Sequence, residues 1–209
     1  MEKEIGKLVL VRHGESEWNI LGKWTGLIDI HLSEKGIEEA EKTGELIKDI
    51  HFDYIFTSAL VRAKETLSEM VDTYKDLKTI PIEAVKELNE RNYGDYTGKN
   101  KWEMKKILGE EMFLKIRRSW DYVLPNGESL KMVYERTVPF FLEKILPILK
   151  ENKNVLIVAH GNSIRSILKY IERISDDDIA HLEIPFGGAI ILNLDEKGHS
   201  LGKEIREIK

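Results

Sequence analysis

The chain has 209 residues, 42% of them hydrophobic and 33% charged, with a net charge of −5 and no cysteine. This suits a globular domain with a substantial core, supplies no basic field for nucleic acid, and excludes disulfides, thiolate nucleophiles and zinc–sulfur sites. No apolar run is long enough to span a bilayer, and Met1-Glu2-Lys3-Glu4 reads as a direct lead into a strand rather than a secretory leader. The expectation is a cytoplasmic protein with neither a membrane nor a nucleic-acid partner.

Taken in order, Lys7 to Val11 reads as a first strand, followed by a loop from Gly14 to Leu32 with a turn at Trp24-Thr25-Gly26. Ser33 is a good N-cap for a helix that presents Ile37, Ala40, Gly44 and Ile47 on one face. Asp53 to Phe56 forms a short second strand. Thr57-Ser58 then opens a helix with Ala63, Thr66, Leu67, Met70 and Tyr74 inward, and Ile80 to Val85 is a third strand. Leu88 to Lys101 is polar and without sustained period, as a site-forming segment would be. A mostly helical stretch runs on to Trp120, and Pro125-Asn126-Gly127 is a turn. Ser129 begins a long helix that Pro139 and Pro147 should kink or interrupt. Val155 to Ala159 is a strand, Ser163 to Ile171 a helix, Ser175 to His181 a short helix, and Ala189 to Leu194 a strand. Gly198 turns the chain into an edge strand. Strands alternating with helices indicate an α/β fold: a three-layer α/β/α sandwich with a mostly parallel central sheet. The whole chain, 1–209, is read as a single domain, and an insertion over about 88–127 lies across the carboxyl ends of the strands.

Two places stand out. Leu8-Val9-Leu10-Val11 ends on Arg12-His13-Gly14-Glu15-Ser16, and Val155-Leu156-Ile157-Val158-Ala159 ends on His160-Gly161-Asn162-Ser163. Apolar runs of this kind suit inner parallel strands, and ligands collect at the carboxyl ends of such strands. Two histidines delivered there would face one pocket. A neutral imidazole is a competent nucleophile toward phosphorus, Gly14 lets the backbone approach a ligand, and the guanidinium forks of Arg12 and Arg62 match phosphate oxygens. Glu90, in a cationic pocket, is the proton donor an alkoxide leaving group needs. Lys101, Arg117 and Arg118 add positive charge beyond what one phosphate requires, which suits a second anionic end such as a carboxylate. His31, His51, His181 and His199 show no metal-ligand spacing, and no metal is expected.

Further residues carry a resemblance. Arg12-His13-Gly14-Glu15 with His160-Gly161 resembles the histidine phosphatase superfamily. Arg12 to Asn19, Thr25-Gly26, Leu32 to Gly36, Thr57-Ser58, Arg62-Ala63, Leu88-Asn89-Glu90-Arg91, Tyr93-Gly94, Asn100-Lys101, Arg117-Arg118, Pro125 to Ser129 and Ala159 to Ser163 together resemble its cofactor-dependent phosphoglycerate mutases. The likeness spans most of the chain; Leu-Asn-Glu-Arg, Lys101 and the arginine pair are what point to the mutase branch. It implies interconversion of 2- and 3-phosphoglycerate in glycolysis and gluconeogenesis. His13 would carry the phosphoryl group, and 2,3-bisphosphoglycerate would prime it without a metal. Arg12, Arg62 and His160 would hold that group, and Glu90 would act as acid and base. Gly14, Glu15, Ser16, Glu17, Trp18, Asn19, Thr25, Gly26, Arg91, Asn92, Tyr93, Lys101, Arg117, Arg118, Gly161 and Asn162 are expected to join Arg12, His13, Arg62 and Glu90 in the substrate-binding set. Asn92 stands where many relatives have an aromatic ring or histidine. The state expected is monomer or homodimer. Alternatives are a histidine phosphatase that hydrolyses small phosphomonoesters, and an inert pocket that only binds phosphorylated partners.

Overall fold

The computed structural model describes residues 4–208; Met1, Glu2 and Lys3, on which the expectation about a leader rests, lie outside them. One six-stranded sheet runs through the molecule. It comprises β1 (Leu8–Arg12), β2 (Tyr54–Ser58), β3 (Ile82–Val85), β4 (Val155–Ala159), β5 (Ala189–Leu194) and β6 (Ser200–Arg206), in the order β3-β2-β4-β1-β5-β6. β3, β2, β4 and β1 pair in parallel, and β5 runs antiparallel to both its neighbours, so the sheet is mostly parallel.

Alternation along the inner strands builds two cores. Leu8, Leu10, Ile157 and Ala159 meet one helical layer through Phe141, Ile145, Ile164 and Ile167. Val9, Val11, Leu156 and Val158 meet the other through Ile47, Ala63, Leu67 and Met70. The first layer consists of α5 (Leu130–Phe140), α6 (Leu146–Lys150) and α7 (Gly161–Ile171); the second consists of α2 (Glu34–Ile47) and α3 (Val61–Thr73). With helices on both faces, the architecture is the three-layer α/β/α sandwich.

Several local expectations shift. The loop after β1 contains a helical turn, α1 (Glu17–Ile20), because Ser16 and Asn19 cap it reciprocally. Ser33 caps α2 as expected, its Oγ accepting from Gly36 N at 3.1 Å. Ile37, however, is 37% exposed, and the inward stripe runs through Gly36, Ala40, Gly44 and Ile47. Close packing rotates the helix: a Cβ on Gly44 would lie 2.3 Å from Thr73 Oγ1. Thr57 and Ser58 end β2 rather than open a helix; α3 starts at Val61. Between the two expected proline kinks, the helix that follows Ser129 widens into a π turn at Phe141–Ile145 and then continues as α6. α4 (Lys101–Arg118) breaks at Gly109, where φ is 82°. The 88–127 segment has its own small core of Phe113, Ile116 and Leu124 around Trp24.

Candidate active site

Strand register makes the site. Arg12 lies opposite Ala159 in the β1–β4 ladder, and His13 N continues the pairing to Ala159 O at 3.0 Å. The next residue on each strand is a histidine. Neighbouring strands are about 4.8 Å apart, and the two ring centroids are separated by 4.9 Å. Both rings are buried.

Their protons can be assigned from their partners. His13 Nδ1 lies 2.7 Å from Gly14 O, which only accepts, so Nδ1 donates and Nε2 keeps its lone pair. Ser58 Oγ donates to Asn89 Oδ1 at 2.8 Å and therefore accepts from His160 Nε2 at 2.7 Å. Burial, Arg62 and Arg12 hold His13 well below the ordinary imidazole range; burial and Arg62, with His13 and Arg12, do the same for His160. Both rings are thus neutral near pH 7. Gly14 donates to Thr66 Oγ1 at 3.1 Å and presses on α2: a Cβ there would lie 2.2 Å from Gly36 O, and one on Gly36 would lie 2.0 Å from Glu15 O.

A hollow of about 60 Å³ is lined by Arg12, His13, Asn19, Trp24, Thr25, Gly26, Arg62, Glu90, Tyr93 and Lys101. It adjoins a larger cavity of about 570 Å³ that shares Arg12, Asn19 and Lys101 and adds Arg117 and Glu183. Among the described residues, the buried side-chain polar atoms without a hydrogen-bond partner are Arg12 Nε, Thr25 Oγ1, Arg62 Nε and His160 Nδ1. All four belong to this site. Buried polar atoms are normally satisfied: the Arg12 and Arg62 Nε hydrogens and the Thr25 hydroxyl fit the oxygens of an incoming anion, and His160 Nδ1, which carries a lone pair in the neutral ring, joins them once it is protonated. Elsewhere the two guanidiniums are anchored: Arg62 donates to Gly26 O at 2.9 Å and Ile28 O at 3.0 Å, while Arg12 donates to Ile184 O and lies 3.6 Å over the Phe186 ring. Burial lowers both to about 10, which leaves them charged at neutral pH. Lys101 is held down to about 8 by burial, Arg117 and Arg12.

Glu90 is buried opposite α7, where Asn162 Nδ2 donates to its Oε1 at 2.9 Å and also contacts Tyr93 OH at 3.1 Å. Gly161 packs on Arg12, 3.5 Å separating the Arg12 Cζ from the position a Cβ would take. Other residues of the expected binding set point elsewhere. Glu15 meets Lys35 and Ser33, Ser16 caps α1, Glu17 is exposed, and Trp18 packs beside Lys23 and Gly98. Arg91 spends its guanidinium on Glu128 O, Ile116 O and Tyr122 O. Asn92 turns back to Gly94 N. Arg118 is ion-paired with Glu183. A local motif does not reveal which way a side chain turns: Glu17 faces solvent, and each of the others has a nearer partner than the hollow.

Ser58 and Asn89, behind His160, enter the sequence reading only as motif residues without a site role, while Arg136, Arg165 and Phe186, which lies beneath Arg12, do not enter it. Arg136 donates to Glu87 O at 2.7 Å and to Asn89 O and Glu90 O at 3.0 Å. The available signal for Arg165 is its position one helical turn after Asn162. Among the described residues, no group of three or more His, Asp or Glu side chains gathers as a metal site would.

Facing imidazoles, buried guanidiniums and a carboxylate at parallel strand ends define a class, and sequence comparison agrees. The profile of the histidine phosphatase superfamily (branch 1) matches residues 8–204, and the chain belongs to that superfamily. A 2,3-bisphosphoglycerate-dependent phosphoglycerate mutase 2 from Lactiplantibacillus plantarum is 42% identical, the alignment covering 96% of this chain and 98% of the relative. A 2,3-bisphosphoglycerate-dependent phosphoglycerate mutase from Cytophaga hutchinsonii is 45% identical, over 91% and 88%. The solved structure of Bacillus stearothermophilus YhfR has the same fold, with a TM-score of 0.82, 25% identity and 98% of each chain covered. Within the superfamily, the chain belongs with the 2,3-bisphosphoglycerate-dependent phosphoglycerate mutases.

Proposed function

We propose that this protein interconverts 2- and 3-phosphoglycerate through a phosphohistidine on His13. The observation that carries the reading is the convergence of Arg12 Nε, Arg62 Nε, Thr25 Oγ1 and His160 Nδ1, all buried and unpartnered, beside the lone pair of His13 Nε2. When bound, 2,3-bisphosphoglycerate would supply the phosphoryl group that charges the histidine. As the His13 Nε2–P bond forms, the ester P–O bond breaks, and Glu90 gives its proton to the departing oxygen. In the return transfer Glu90 takes a proton from the attacking hydroxyl and the Nε2–P bond breaks. Arg12 and Arg62 hold the non-bridging oxygens, and His160, which takes up a proton on Nδ1 from water as the dianion arrives, donates it to a phosphoryl oxygen. Gly14, Asn19, Thr25, Gly26, Tyr93, Gly161 and Asn162 shape the hollow. Lys101 and Arg117 receive the carboxylate end; Arg118 joins them only when Glu183 lets go.

The chain works as one domain with its 88–127 segment as the cover, in the cytoplasm, as monomer or homodimer, without a metal, membrane or nucleic acid. No helix of the described residues is long and apolar enough to cross a membrane. A second reading, hydrolysis of small phosphomonoesters on the same histidine, is favoured by the open cavity of about 570 Å³, which gives water a route to the site. Incubation with 3-phosphoglycerate and a trace of 2,3-bisphosphoglycerate separates the two. The expected result is 2-phosphoglycerate formation that depends on the trace and exceeds phosphate release; release equal to or above isomerisation would give the phosphatase reading the site.

A further inference from the structure

We propose that Arg165 is a positioning residue which, through Asn162, determines which oxygen of Glu90 carries the transferable proton. The inference rests on the role given to Glu90 above. Glu90 Oε1 accepts from Arg91 N at 2.7 Å, from Asn162 Nδ2 at 2.9 Å and from Asn162 N at 3.3 Å. An oxygen with three N–H donors around it has no lone pair left for a proton, so the proton resides on Oε2.

That assignment holds only while the Asn162 amide keeps its nitrogen toward Glu90. The two ends of an amide have nearly the same shape, and a flip would set Asn162 Oδ1 against Glu90 Oε1, acceptor against acceptor. Tyr93 OH, 3.1 Å from Nδ2, can donate or accept and does not discriminate between the two orientations. Arg165 does discriminate. Its Nη1 donates to Asn162 Oδ1 at 2.8 Å, and a guanidinium never accepts. The guanidinium is itself fixed, with Nε and Nη2 donating to Leu182 O at 3.1 and 2.8 Å. Arg165 is only 7% exposed, and no carboxylate hydrogen-bonds to it among the described residues. Burial pushes it down to about 10. A buried charge without an ion-pair partner is costly to retain, and the orientation of the amide gives it a purpose.

The test is a double-mutant cycle on mutase turnover with 3-phosphoglycerate and primer. Arg165→Met is expected to lower kcat roughly 30-fold with KM changed less than about threefold, and to cost under about twofold when Asn162 is already alanine. Arg165→Lys, which keeps a donor for Oδ1, is expected to recover several-fold of the loss. Equal losses in both backgrounds would overturn the proposal. Should Arg165→Met fail to fold, Asn162→Asp reads the same device from its other end. It keeps the partner of Arg165 but offers Glu90 no side-chain hydrogen, and an unchanged kcat there would refute the idea. If the wild type makes no 2-phosphoglycerate, the mutase reading falls by itself. The relay is then judged by the Asn162 side-chain amide NMR signals: moved in Arg165→Met and brought back toward wild type in Arg165→Lys, they support it; unmoved in Arg165→Met, they refute it.

Discussion

His13 and Glu90 line one hollow, yet they are held there by different physics. His13 extends a parallel ladder in which β1 and β4 are in continuous register, with neighbours on both sides and apolar layers on both faces. Glu90 follows the short edge strand β3 and belongs to a segment without sheet pairing. Its backbone is held by side chains instead. Arg91 ties together Ile116, Tyr122 and Glu128, and Arg136 gathers Glu87, Asn89 and Glu90, each through carbonyl oxygens. Where the ladder stops, buried guanidiniums take over the satisfaction of backbone acceptors. The nucleophile is therefore positioned by the core of the fold, and the proton donor by a few replaceable side chains.

The contrast can be broken at either end. The largest effect is expected at the ladder end: His13→Ala removes the phosphoryl acceptor and should lower turnover by about ten-thousand-fold or more, with acid-labile phosphoryl labelling lost and folding intact. Next is the clamp. Arg91→Met strips three carbonyls of their donor and should lower unfolding stability by roughly 3 kcal/mol in urea titration. In the same variant His13 labelling should persist while isomerisation declines, because the β1–β4 pair is untouched. The smallest effect concerns Lys101, held at about 8 against an ordinary 10.5. As pH rises through that value the free protein loses this charge. The KM for 3-phosphoglycerate should climb, by up to about tenfold, and Lys101→Met should flatten the rise. The sign for folding is opposite. Below pH 8 the buried ammonium opposes folding, and the opposition fades between pH 8 and 10.5, where the unfolded chain holds more protons.

The same contrast explains what could be read in advance. The ladder half is written locally: four or five apolar residues, a histidine, a glycine, twice over. From it followed the parallel sheet, the layers and the meeting of His13 with His160. The cap of α2 at Ser33 and the edge strand after Gly198 were equally local. The clamped half depends on contacts between residues far apart in the chain. Arg91 looks like a ligand-binding arginine until Ile116 O and Tyr122 O are brought to it, and Arg118 looks free until Glu183 arrives. Arg136 and Arg165 sit in ordinary helical patterns that say nothing about what their guanidiniums reach. Ile37 was misread because glycines, and not the larger apolar residue, decide which side of α2 approaches its neighbours.

The close approach of Gly14 and Glu15 to Gly36 reaches further than packing. The carbonyl that receives the His13 Nδ1 hydrogen belongs to Gly14, and α2 sits flush against that same residue. A helix contributing no atom to the hollow therefore governs which ring nitrogen is left bare for phosphorus. A single methyl at Gly36, within the opening turn of α2, would lie 2.0 Å from Glu15 O and 2.9 Å from Glu15 N, and so press on the peptide unit whose carbonyl receives the His13 hydrogen. The reactivity of the centre is thus hostage to the smallest side chain in the alphabet, at a position that never touches the substrate.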